Sequence, residues 1–172
     1  MRSGRSSFKI AFPAILGALS LVLIYIGSAA PSGNWGIVAV AGLLPAAAVI
    51  SVGWKSGALC WAGTSLLALI LVPSKLCALM YAVLFGLYPL VKSWIERIGK
   101  KMPEYLLKLV FFNAAFTVIY VSMKAAVLGS LPSTLSAVRI LYPVGNVVFL
   151  MYDFGFSRLI SFYIARIHRA IR

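Results

Sequence analysis

Few side chains in this sequence could do chemistry: the carboxylates Glu96, Glu104 and Asp153, the single imidazole of His168, and the thiols of Cys60 and Cys77. No HExxH, CxxC, GxSxG or P-loop spacing is present. Three acids cannot supply a metal cluster of the carboxylate type, and His168 stands in a basic stretch. The expectation is a protein that is not an enzyme and holds no metal or cofactor.

Asp153 is set apart by its surroundings, because it falls about eleven residues into an otherwise apolar run and is the only acid there. At about 1.5 Å per residue that places it deep within a helix. Arg139, Tyr142, Asn146, Asp153 and Ser157 follow one another at spacings of three, four, seven and four, which is one helical face. Asn113, Thr117, Tyr120 and Lys124 form a matching stripe on the preceding run, and two such stripes on adjacent antiparallel helices should meet. By rise, Asn113 is expected near the depth of Asp153, and Lys124 near that of Arg139 and Tyr142. Tyr81, Tyr88 and Lys92 make a weaker stripe one run earlier. The expected site is a polar cavity between the last three helices. Asn113, Tyr120, Lys124, Arg139, Tyr142, Asn146 and Asp153 are its candidate substrate-binding residues. A rim of Lys75, Lys124 and Arg139 would suit an anionic solute through charge-assisted hydrogen bonds. The competing readings are an Asp153 ion pair that only fixes packing, and lysines that reach lipid headgroups.

The elements that must position these residues are set by composition. Of 172 residues 62% are apolar and 11% charged, with a mean hydropathy of +1.00, against roughly a quarter charged in soluble domains. A helix needs about 20 mostly apolar residues to cross the bilayer core. Six such runs stand at about 8–30, 35–52, 57–72, 76–94, 105–128 and 142–164, separated by turn-forming stretches such as Pro31 to Asn34, Gly53 to Ser56 and Gly99 to Pro103. The fold class is an all-α integral membrane protein, a single domain over residues 1–172. The second and third runs are short and could instead form a re-entrant pair. The opening MRSGRSSFK followed by an apolar run has the look of a signal peptide, but without a convincing cleavage site it is expected to remain as the first helix.

The net charge of +13 would suggest nucleic acid in a soluble protein, but here it reports topology. With six spans, twelve of the sixteen basic residues fall on the side of the termini and only Lys75, Lys124 and Arg139 on the other, Arg158 lying within a span. The expectation is cytoplasmic termini in a bacterial plasma membrane, with lipid and no nucleic acid as partner. Between the fourth and fifth runs, Glu96 is spaced four from Lys100 and Glu104 four from Lys108, which reads as a short interfacial helix or turn carrying solvated pairs. Cys60 and Cys77 should lie at different depths, too far apart for a disulfide.

In the first run Ala14, Gly17 and Ala18 put small side chains three and four apart, a surface that another helix can approach closely or that packs within the bundle. Together with the size, the six helices and the basic edge, Ala14-x-x-x-Ala18 resembles the substrate-binding S components of energy-coupling factor transporters. That resemblance implies a membrane-embedded solute-binding subunit for a vitamin-like or small anionic solute. It also implies Ala14 and Ala18 as the surface for a transmembrane coupling subunit, which works with ATPases, and a solute site under the loop around Asn34 and Trp35. Pro13 directly before the motif and a brief first loop depart from the pattern. The alternative is a structural or assembly protein of a cell-envelope complex, with polar stripes that lock helices together around a closed interior.

Overall fold

A computed structural model describes the backbone of residues 2–30, 32–126 and 135–168, and the side chains of 8–30, 32–124 and 140–166. It is 91% helical, with no strand among the described residues. Six helices are long and apolar enough to cross a membrane. They are α1 (Arg2–Ala29), α2 (Asn34–Ser51), α3 (Trp54–Leu71), α4 (Lys75–Ile98), α5 (Lys101–Ala126) and α6 (Leu135–Tyr163), the last continuing as a π turn over Ile164–His168. The second and third runs form helices of 18 residues each, long and apolar enough to cross a membrane.

The core is apolar, and so is much of the outer surface. Ile10, Leu59, Ile70, Met102 and Met151 project outward, whereas Lys92, Lys108 and Asp153 are buried. Large apolar side chains normally fill interiors and charges cover surfaces, so this surface is compatible with a lipid surround, as in a multi-pass membrane protein.

Small residues and single polar bonds bring the first three helices together, the kind of contact that lets helix backbones approach closely. Ser20 donates to the Ala41 carbonyl at 3.0 Å and Thr64 to the Gly17 carbonyl at 3.2 Å. Gly42 breaks α2 into two halves at the point where it meets α4, and a Cβ there would stand 2.5 Å from the Phe85 carbonyl oxygen. Gly53, at φ 122°, makes the turn into α3, a conformation that residues with a Cβ seldom adopt.

The most enclosed helix is α4. It is also the least regular, opening as α-helix, widening to a π turn over Met80–Phe85 and resuming at Tyr88. There the Gly86 N–H donates to the Tyr81 carbonyl five residues back, at 2.7 Å. Such π turns insert one residue into the helical register. Tyr81 and Tyr88, spaced seven apart, would share a face of a regular helix. Instead Tyr81 turns toward Ser20 and Thr64 of α1 and α3, while Tyr88 faces α6. Trp61 of α3 donates its indole N–H to the Ala82 carbonyl at 2.8 Å, tying α3 to this widened segment.

The connection between α4 and α5 is shorter than the sequence pattern implied. A 3-10 turn over Glu96–Ile98 ends at Gly99, φ 69°, and α5 begins at Lys101 with Pro103 inside its first turn. Proline is tolerated there because the first N–H groups of a helix have no internal partner. Cys60 and Cys77 are free and buried.

Candidate functional site

At one end of the bundle, α4, α5 and α6 converge on a buried network of charges. Tyr88, Lys92 and Glu96 recur every four residues on α4, Glu104 and Lys108 are one turn apart on α5, and Asp153 and Ser157 are one turn apart on α6. Lys92 Nζ lies 2.5 Å from Asp153 Oδ1 and 2.7 Å from Glu96 Oε1, and donates to Ser157 Oγ at 2.8 Å. Lys108 Nζ lies 3.1 Å from Asp153 Oδ2, 2.7 Å from Glu104 Oε1 and 3.4 Å from Glu96 Oε1. The Tyr88 hydroxyl donates to Asp153 Oδ1, and Ser157 donates onward to the Asp153 carbonyl. Asp153 and Glu96 each contact both lysines and Glu104 contacts Lys108, so all three carboxylate side chains of the sequence belong to this network.

The lysine side chains are only 3% exposed, against 44% for Glu96. The network therefore opens toward the helix ends at Glu96 and is sealed at Asp153. Aromatic rings close its other side. Tyr88 packs edge-on against Phe149 and Phe156 with centroids 5.1 and 5.6 Å away, and Phe149 stacks on Phe112 at 4.7 Å. Charges removed from water in this way must be paired and hydrogen-bonded, since an uncompensated one costs several kcal/mol. Asp153 meets that demand by receiving Tyr88 and Lys92 on one oxygen and Lys108 on the other. Three donors from two neighbouring helices thus converge on one carboxylate. No group of three or more His, Cys, Asp or Glu side chains among the described residues is placed to hold a metal ion.

The two polar stripes come together one level further along. Asn113 and Asn146 exchange amide hydrogen bonds at 3.0 and 3.2 Å, and the Thr117 and Tyr142 hydroxyls lie 2.8 Å apart. Asn113 therefore pairs with Asn146 rather than lying level with Asp153, whose partner on α5 is Lys108. The difference follows from helix geometry, since Asn146 is seven residues, about 10 Å, from Asp153 along α6.

These polar groups meet one another directly across α4, α5 and α6. Asn113, Thr117 and Ser122 also face an open recess of about 520 Å³ on the surface of α5. Tyr120 is half-buried and Lys124 exposed. The side chain of Arg139 lies outside the described residues. Lys75 folds back onto the end of α3, donating to the Leu69 carbonyl at 2.8 Å and the Val72 carbonyl at 3.2 Å.

Three expectations about the charges are corrected. Glu96 binds Lys92 and Lys108 instead of Lys100, because the 3-10 turn redirects it toward the bundle. Lys92 and Lys108, counted among the basic residues at the edge, are interior. Glu104 does pair with Lys108, but as part of the Asp153 network rather than as a solvated surface pair. A sequence signal for Lys108 existed. Lys108, Phe112, Ala115 and Ile119 are all buried at spacings of four, three and four, so the lysine is in register with the core face of α5.

Ala14 and Ala18 are exposed rather than packed within the bundle. They line a groove of about 570 Å³ between α1 and α3. Asn34, the first residue of α2, accepts from the Trp35 N–H through its Oδ1 at 2.9 Å, and Trp35 is exposed. Comparison of the chain with protein-family models, curated proteins and solved structures returns no match.

Proposed function

We propose that this chain is a multi-pass protein of a bacterial plasma membrane with cytoplasmic termini, acting as a non-enzymatic structural or assembly subunit of a cell-envelope complex. The observation that carries this reading is the closure of the network around Asp153. All three carboxylates, both buried lysines, Tyr88 and Ser157 are engaged with one another, and Asn113 with Asn146. A site built to take a solute keeps donors or acceptors turned toward an accessible space. Here the polar groups bridge helices.

A second reading, the solute-binding subunit of a multi-component importer with a coupling subunit and ATPases, draws support from two observations. Asn113, Thr117 and Ser122 border the recess on α5, with Tyr120 and Lys124 on the same helix, and Ala14 and Ala18 are exposed. In that reading Tyr142, Asn146, Asp153 and Arg139 would complete a site for a small anionic or vitamin-like solute.

The two readings separate by extracting small molecules from full-length protein purified in mild detergent. The structural reading expects no stoichiometric solute. A solute retained at one per chain, and lost in Asn113→Ala and Lys124→Ala, would replace it with the importer reading.

A further inference from the structure

The groove between α1 and α3 is independent of the polar half of the molecule. Its floor and walls are Gly17, Leu21, Gly63 and Leu67, and Lys9 and Lys55 stand at one end. In both helices the lysine precedes the leucine by twelve residues, about 18 Å of helix rise. That length is close to half of a bilayer core about 30 Å thick, so the groove is as long as one leaflet is deep, with both cations at the same end.

No carboxylate side chain is left to serve these cations as a counter-charge. The chain holds only three carboxylate side chains, and all three are bound by Lys92 and Lys108 elsewhere. Lys55 also lies in the first turn of α3, where the helix dipole is positive and a lysine is electrostatically disfavoured unless an anion stands nearby. An apolar trough of leaflet depth that ends in two ammonium groups is complementary to a molecule with an anionic head and a hydrocarbon tail.

We propose that this groove binds an anionic phospholipid, its phosphate between Lys9 and Lys55 and one acyl chain lying along Gly17, Gly63, Leu21 and Leu67. Gly63 is central to the fit because nothing lies within 4 Å of where its Cβ would be. Its hydrogen leaves the trough open, and a larger side chain would fill it without disturbing the bundle.

The test is native mass spectrometry of the full-length protein, delipidated in a nonionic detergent and offered phosphatidylglycerol or phosphatidylcholine with the same 16-carbon chains. The wild type should retain phosphatidylglycerol preferentially. The double variant Lys9→Gln, Lys55→Gln should lose about thirtyfold of that preference, as expected for two lysines at a lipid surface. The charge-matched control Lys100→Gln, Lys101→Gln should keep it. Gly63→Leu, which retains both lysines, should lower retention of both lipids. Equal losses in the two double variants would reduce the effect to overall charge and overturn the assignment, as would unchanged retention in Gly63→Leu. A photoreactive residue in place of Leu59, which also lines the groove, should form a lipid adduct in intact membranes. A protein adduct there would mean that a partner helix occupies the groove instead.

Discussion

Lys108 of α5 lies 3.1 Å from one carboxylate oxygen of Asp153 on α6, while Lys92 of α4 lies 2.5 Å from the other. One carboxylate is thereby shared by two helices that make few other polar contacts with each other. Its charge is compensated twice, and Glu96 joins the two lysines from the open side. The arrangement fixes the relative height and rotation of three helices at once, because moving any of them by one residue would strand a buried charge.

The Tyr88 hydroxyl donates to Asp153 from a side chain that is fully buried. Tyr88→Phe keeps the ring packing against Phe149 and Phe156 and removes only the donor. Hydrogen bonds to charged groups contribute about 1.5–3 kcal/mol, so unfolding in detergent should become easier by that amount. A change below about 0.5 kcal/mol would mean that Lys92 and Lys108 satisfy the carboxylate unaided.

Asn113 and Asn146 hold α5 against α6 through a reciprocal amide pair. Replacing one by leucine leaves the other amide only its bond to the carbonyl one turn back in its own helix, whereas replacing both removes the need for a partner across the pair. Each single change should cost about 1 kcal/mol, in the range for hydrogen bonds between helices in a bilayer, and the double change less than the sum. Additive losses measured by thermal unfolding would show that the two amides act independently.

Gly42 is where α2 passes closest to α4. With the Phe85 carbonyl 2.5 Å from the position of a Cβ, Gly42→Ala must push backbone against backbone. Overpacking of this kind costs about 1–3 kcal/mol or more. The variant should show a clearly lowered melting temperature, while Gly63→Ala, which faces open space, should melt like the wild type.

Lys124 is exposed and takes no part in the network. Lys124→Ala should leave unfolding within about 0.5 kcal/mol of wild type, as usual for surface substitutions. A larger loss would assign it a structural contact.

The six helices were legible because their apolar runs are long and punctuated by Pro, Gly and Asn, and the pairing of α5 with α6 followed from polar residues at spacings of three and four. What spacing could not reveal was local deviation from α geometry. The π turn at Met80–Phe85 turns Tyr81 away from the face of Tyr88, and the 3-10 turn at Glu96 carries that carboxylate to Lys108 instead of Lys100. Nor does a lysine near a helix end reveal whether it points to water or inward. Lys108 and Lys101 look alike by position, and only the register of Lys108 with Phe112, Ala115 and Ile119 distinguishes them. The exposure of Ala14 and Ala18 was equally open, since small residues serve both inner and outer helix contacts.

The central claim, that the Asp153 network locks α4 to α6, is tested most directly by a double-mutant cycle of Lys92→Gln and Asp153→Asn in the full-length protein, read as unfolding free energy in mixed micelles. Removing one partner of a buried pair strands the other, so each single variant should lose about 3–5 kcal/mol. The double variant should lose less than the sum by more than about 1 kcal/mol. Additive losses, or single variants as stable as the wild type, would contradict the account.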